Sequence, residues 1–272
     1  GDVVAGLTVA VMLVPQGMAY ANLAGMPPVT GLYAAIVGIV AYAVLGTSGS
    51  LAVGPVAITS LLTASGLQSI VAPDDPTYPA VAALLALCVG VVLVVAGLLR
   101  LGFVVNFLSH PVISGFTSAA AVTIGLSQVK ELLGVDIGRP DGVLETLGSL
   151  AEALDAVHGW TLAIGLGAVA LLVLGARLAP RAPMALVVVG ASTLVTWLDS
   201  LSDQGVAVLG EVPTGLPSPE LPRLSSPLLR DLAPVALTIG IIAVAEGVSV
   251  AKALARRTRD TIDANQELIA TG

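Results

Sequence analysis

Eight stretches of this chain are apolar over close to the 20 residues that a helix needs to cross roughly 30 Å of hydrocarbon. They cover approximately residues 3–24, 29–46, 51–72, 77–99, 102–131, 159–178, 182–199 and 231–255. What lies between them cannot make a water-covered surface. Only 11% of the residues are charged, 56% are hydrophobic and the mean hydropathy is +0.98. A soluble domain carries roughly 25% charged residues. The fold class expected is therefore an all-α polytopic membrane protein. Aromatics are scarce, and the abundant small residues let helices approach closely in lipid. The first apolar run has no basic leader and no small-residue cleavage site, so it reads as a span and not a signal peptide. The chain opens at Gly1-Asp2 without Met and closes on Ala270-Thr271-Gly272. It reads as an excerpt of a longer protein. Its single cysteine, Cys88, sits in an apolar run and reads as a small hydrophobe.

Charge orients the spans. With the N-terminus in the cytoplasm, the inner connections hold Arg100, then Arg177 and Arg181, then Arg256, Arg257 and Arg259. The outer ones hold Asp74 and Asp75, then Asp136, Asp141, Glu145, Glu152 and Asp155, then Asp199, Asp203, Glu211 and Glu220. Most of the basic residues thus fall inside, as the positive-inside rule expects, with Lys130, Arg139, Arg223 and Arg230 as exceptions; the acidic excess outside is not required by that rule. Two outer connections have a character of their own. Residues 142–157 place Val143, Leu147, Leu150, Leu154 and Val157 at helical spacing, which predicts an amphipathic surface helix. Residues 211–227 are rich in proline and read as an extended loop.

The third span begins with loop chemistry, Ser48-Gly49-Ser50-Leu51-Ala52-Val53-Gly54-Pro55. Proline is favoured at a first helical position, where its missing N–H costs nothing. A helix from Pro55 to about Gly66 is roughly 18 Å long, too short to span. Extended backbone would cover the remaining depth, and such backbone is tolerated only inside protein or along a cavity. The N–H groups of Val56, Ala57 and Ile58 would then face the bilayer middle and form an anion site. The plainer alternative is an ordinary span with a proline near its end.

Two further polar residues lie inside spans. Glu246 sits in Ile242-Ala243-Val244-Ala245-Glu246-Gly247-Val248. A carboxylate at the bilayer centre costs about 2.5–3.5 kcal/mol on insertion scales, and such residues usually serve a polar pathway. Glu246 is read as a group that trades a proton or a cation, against the alternative of a structural Glu paired to another helix. Gln16 lies in Leu13-Val14-Pro15-Gln16-Gly17-Met18-Ala19-Tyr20, with Tyr20 one turn on along the same face. Together they would present an amide and a phenol to a substrate. The alternative is a helix kink with one interhelical hydrogen bond. The two segments also align. Leu7-Thr8 matches Leu237-Thr238, Val14 matches Val244, Gln16-Gly17 falls on Glu246-Gly247, and Ala21 falls on Ala251. The first and eighth spans enter from opposite sides, as an inverted repeat of seven spans each would have them.

His110, His158, Lys130 and Glu131 have no partners at metal-ligand spacing. No phosphate loop, nucleophile elbow, zinc motif or nucleic-acid motif is present. No enzyme, cofactor, metal or nucleic-acid partner is expected.

Several of these segments resemble the SulP family of sulfate permeases and anion exchangers. They are Val14-Pro15-Gln16-Gly17-Met18-Ala19-Tyr20-Ala21, Leu45-Gly46-Thr47-Ser48, Val53-Gly54-Pro55-Val56-Ala57, and residues 107–117 from Phe107 to Thr117. The closing Asp263-Ala264-Asn265-Gln266-Glu267-Leu268-Ile269-Ala270 is similar to the family segment after helix eight. The resemblance implies a uracil-transporter-like fold of fourteen helices in two inverted repeats, usually followed by a cytoplasmic STAS domain. It implies core-domain helices in residues 1–100, gate-domain helices in 101–200, an extracellular loop in 201–230, and core helix eight with a following cytoplasmic segment in 231–272. It places the substrate anion between the half-helix starting near Pro55 and a counterpart in helix ten, beyond this chain. Gln16 and Tyr20 match first-helix positions that face the site, Val56 and Ala57 match the half-helix positions, and Glu246 matches the eighth-helix acidic position.

The function so implied is secondary active transport of a small anion such as sulfate, bicarbonate or a dicarboxylate. H⁺ symport by alternating access is the preferred reading, with anion exchange and Na⁺ symport as alternatives. A nucleobase–proton symporter, or a channel or motor of the same fold, ranks lower. The expected partners are the anion, H⁺ or Na⁺ and the lipid bilayer, with a homodimer left open. The expected location is the cell membrane.

Overall fold

The computed structural model describes residues 2–49, 51, 53–103, 110–138, 142–179, 182–208, 215, 225–258 and 262–272. Among them every regular element is helical. In chain order these are α1 (Asp2–Leu23), α2 (Pro28–Leu45), α3 (Ala57–Gln68), α4 (Tyr78–Leu98), α5 (His110–Leu133), α6 (Val143–Glu152), α7 (Gly159–Leu178), α8 (Met184–Leu198), α9 (Ser226–Thr258) and α10 (Ala264–Thr271). Each of the eight apolar segments carries a helix. Five are long and apolar enough by themselves to cross a membrane, within α1, α2, α4, α7 and α9.

The differences from the expected boundaries have local causes. The segment expected at 102–131 becomes a short 3₁₀ turn over 101–103 and then α5. Residues 104–109, with Phe107 to Ser109 of the motif above, lie outside the described residues, as do most of the proline-rich loop and Arg139, Arg181, Arg223 and Arg259. α9 begins five residues before the apolar run does, because Arg230 and Asp231 end the hydrophobicity and not the helix. Pro234 stands inside it, and Thr238 Oγ1 donates to the Pro234 carbonyl at 2.9 Å. The amphipathic segment folds as α6 followed by a 3₁₀ turn, Ala153–Ala156. Leu150 is buried, while Leu144 and Leu147 stay exposed.

The chain divides into two compact units, Gly1–Pro15 with Thr117–Val212, and Gln16–Phe116 with Pro213–Gly272. In the first unit His158 joins the end of α5, the start of α7 and the turn after α8. Its N–H donates to the Leu133 carbonyl at 3.0 Å. Its Nδ1 caps α7 by accepting from the Thr161 N–H, so Nε2 carries the proton and donates to the Gln204 carbonyl at 2.9 Å.

The second unit holds every candidate site residue. Its core joins α3, α4 and α9 through Leu67, Tyr78, Leu84, Leu85, Leu232 and Ala236, each at most 1% exposed. Lipid tails are as apolar as leucine, so this packing is held by dispersion and close fit more than by escape from water. Tyr78, at the start of α4, donates its hydroxyl to the Ala24 carbonyl at 2.8 Å and ties α4 to the end of α1. α10 is capped by Asp263, whose carboxylate accepts from the Asn265 and Gln266 N–H groups. It runs antiparallel along α4. Gly97 faces Asn265 and Ile269, and Gly90 faces Gly272.

Candidate functional site

α3 is a 12-residue helix, roughly 18 Å long and about half of a membrane crossing. The chain reaches it from α2 through a connection whose described residues are non-helical. The helix starts at Ala57, two residues after Pro55. Val56 is its extended N-cap, with φ −125° and ψ 138°, and no side chain caps the helix. The first backbone bond of the helix runs from the Ser60 N–H to the Val56 carbonyl at 3.0 Å. That leaves the N–H groups of Val56, Ala57, Ile58 and Thr59 without acceptors inside the helix. All four residues and Pro55 are partly buried. Thr59 was not singled out from sequence, although counting three positions into the helix would have found it. Its hydroxyl donates back to the Val56 carbonyl at 3.0 Å and holds the first turn closed.

α9 lies against α3. A side chain at Gly66 would strike Val235, its Cβ falling 2.3 Å from Val235 Cγ1. Ile70 and Val71 beyond Gly66, and Leu228 and Leu229 near the start of α9, all pack on the same buried core. Glu246 lies on α9 eleven residues after Val235, about three turns further along the helix. It is partly buried. Among the described residues it meets no cation.

Gln16 and Tyr20 occupy α1, which Pro15 enters without ending the helix. The Gln16 side chain reaches Tyr20 Oη at 3.5 Å, a long contact within one turn. Gln16 is exposed and Tyr20 partly buried. What positions them is their neighbour Gly17. There α1 crosses α2 at Gly31 so closely that a Cβ on Gly31 would lie 2.0 Å from the Gly17 carbonyl oxygen. Backbone meets backbone, and only two glycines allow it. No hydrogen bond among the described residues joins Gln16 or Tyr20 to α3 or to Glu246. The structure thus packs α9, which carries Glu246, on α3 at Gly66, and holds Gln16 and Tyr20 as a separate pair on α1.

The arrangement offers two chemistries. A partly buried helix start with free N–H groups attracts anions, by up to about 2 kcal/mol from the dipole. A carboxylate within a span, as Glu246 is on α9, is a group able to carry a proton or face a cation.

Known proteins share this chain's features over its whole length. A model described as the sulfate permease family matches residues 1–272. A probable sulfate transporter of Mycobacterium tuberculosis is 40% identical over 272 residues, covering 100% of this chain and 48% of that protein. The chain thus spans about half the length of such relatives. The structure of the murine Slc26a9 anion transporter in the inward-facing state superposes with a TM-score of 0.88 at 26% identity, over 99% of this chain and 48% of that one. The transmembrane domain of a cyanobacterium bicarbonate transporter, BicA, gives 0.82 at 26% identity, over 97% of this chain and 67% of that one.

Proposed function

We propose that this chain, which belongs to the sulfate permease family, supplies one half of the anion site of a secondary active transporter. The family is one of multi-pass membrane transporters, not enzymes. The observation that carries the proposal is α3 itself. It is a helix of half-membrane length, reached through non-helical backbone, with the N–H groups of Val56 to Thr59 left open at its start. Pro55, Val56, Ala57 and Ile58 form the cradle, and the small side chain of Ala57 lets an anion approach the backbone. Gln16 and Tyr20 serve as polar contacts from α1.

The substrate class is a small anion such as sulfate, bicarbonate or a dicarboxylate. The matched relatives are named for sulfate, for anions in general and for bicarbonate, which supports that breadth. No Lys or Arg lies among Gln16, Tyr20, residues 55–60 and 242–248. Charge balance then falls to the α3 dipole, to a coupled cation and to any group outside this chain. H⁺ symport through Glu246 fits that requirement. A protonated Glu246 removes a negative charge, and its deprotonation on the inner side helps expel the anion. In this reading residues 1–100 and 231–272 carry the site against a gate formed by 101–200. The N-terminus is cytoplasmic in the cell membrane, since the arginines then gather inside.

The test is uptake of labelled sulfate, bicarbonate and a dicarboxylate by the full-length protein in proteoliposomes, with and without an inward proton gradient. The gradient is expected to drive uptake in the wild type and not in Glu246→Gln. Uptake that ignores the gradient and requires an anion inside would make the protein an exchanger and remove the role given to Glu246. Uptake driven only by a sodium gradient would make Na⁺ the coupling ion.

A further inference from the structure

Glu267 on α10 is the one charged side chain fully buried among the described residues, at 2% exposure, and it takes no part in the site above. Its carboxylate accepts three hydrogen bonds. Tyr42 Oη donates to Oε2 at 2.7 Å. The Thr47 N–H donates to Oε1 at 2.8 Å, and the Thr47 hydroxyl donates to the same oxygen. No cation pairs with it among the described residues. A buried carboxylate in that position is stable only while its donors stay in place. Its neighbours on α10 bind nearby backbone. Gln266 Nε2 donates to the Leu45 carbonyl at 2.8 Å, and Asn265 Oδ1 accepts the Gly102 N–H at 2.9 Å.

These bonds converge on one place in the chain. Tyr42 lies on the last turn of α2, and Thr47 is the second residue after that helix ends. Glu267 grips both, so it sets the direction in which the backbone leaves α2. That backbone is the arm, residues 46–56, whose far end is Val56, the N-cap of α3. The other anchor of α3 is its contact with α9 at Gly66. One end of the arm–helix segment is held by packing and the other by a carboxylate more than two hundred residues away in sequence.

We infer that Glu267 is a positioning residue for the start of α3. Through Thr47 it fixes the root of the arm, and the arm places the open N–H groups. That the placed groups bind an anion rests on the function proposed above; that Glu267 places them does not. A group that served stability alone would leave the arm unchanged in any protein that still folds.

The experiment separates the two claims. A V53C substitution, in a C88A background, puts a thiol on the arm of the full-length protein. Its reaction rate with a water-soluble maleimide reports how well the arm is held. E267Q replaces one acceptor oxygen by a donor, and T47V removes the hydroxyl bond while keeping the N–H. Both are expected to speed labelling by about fivefold or more, since local opening governs access. Both should also raise the KM for labelled sulfate or bicarbonate with little change in kcat. L268A, a change at the adjacent buried residue, should lower thermal stability and leave labelling and KM alone. If E267Q does not fold, T47V carries the test. Labelling within about twofold of the V53C parent in the folded variants overturns the inference. Faster labelling with an unchanged KM supports the role of Glu267 and overturns the anion-site reading of α3 instead.

Discussion

α3 and α4 are consecutive in the chain, pack against the same helix and do opposite work. α4 runs 21 residues without a break and buries Tyr78, Leu84, Leu85 and Leu93 almost completely. α3 runs 12 residues and buries only Leu67 to that degree. α9 meets α4 at Val92 through Gly240, and meets α3 at Val235 through Gly66. The unbroken helix satisfies the backbone groups of its whole middle, leaving only those at its two ends, and is left with packing to do. The broken one leaves its first N–H groups open, a cost that only a ligand, water or protein can relieve. A scaffold and a site thus differ in where the helix begins, not in how apolar its residues are.

Four changes would break or sharpen this contrast. The largest effect is expected for Leu85→Ala in α4. It removes a side chain 1% exposed at the centre of the core and should cost about 2–5 kcal/mol. Thermal unfolding in detergent should show the loss, with the KM of the surviving protein unchanged. A raised KM would mean that α4 is part of the site. Next comes Gly66→Leu, which forces α3 away from the branched Val235 at a cost of about 1–3 kcal/mol. Uptake should fall about tenfold, and a second change, Val235→Ala, should restore part of it. No rescue would show that Gly66 acts elsewhere.

Thr59→Val is smaller. It keeps the shape of α3 and removes the hydroxyl bond to the Val56 carbonyl. A loss of about 1 kcal/mol or less at the first turn should appear as a few-fold rise in KM without a change in stability. A stability loss with constant KM would move Thr59 from the site to the scaffold. The smallest effect concerns the connection between the two helices. The hydroxyl and N–H of Thr77, both at 2.7 Å, hold the Asp75 carboxyl below the usual carboxylate range. A depressed folded-state value means that the turn's contribution is present above the unfolded value and is lost as pH falls through the folded one. Protection of the Thr77 amide, taken relative to its intrinsic exchange rate at each pH, should therefore hold at neutral pH and fall only in acid, and Asp75→Asn should remove that pH dependence.

Much of this contrast can be read without coordinates. Loop residues followed by Pro55 and only a dozen helical residues announce a short helix, and α3 occupies that place, two residues later. Glu246 stands out because a carboxylate is costly in the middle of an apolar run and has to face a polar pathway or a partner. The crossing of α1 and α2 at Gly17 and Gly31 is not readable in that way. Thirty glycines lie in the chain, and nothing local distinguishes the two that touch. Glu267 was visible only as part of a family-like segment. Its neighbours in sequence say nothing of Tyr42 and Thr47.

The sequence by itself determined that this chain folds as a series of apolar helices fit to cross a membrane, and offered Pro55 as the start of a short one beside the plainer reading of an ordinary span. Those properties follow from hydrophobicity and backbone chemistry summed over neighbouring residues. Only the tertiary structure decided that α9 packs on α3 at Gly66 and Val235, and that a carboxylate on α10 takes hydrogen bonds from Tyr42 and Thr47 at the end of α2. Such pairings depend on which surfaces fit once the helices are side by side, and in a uniformly apolar chain many surfaces look alike until close packing and a few buried hydrogen bonds choose among them.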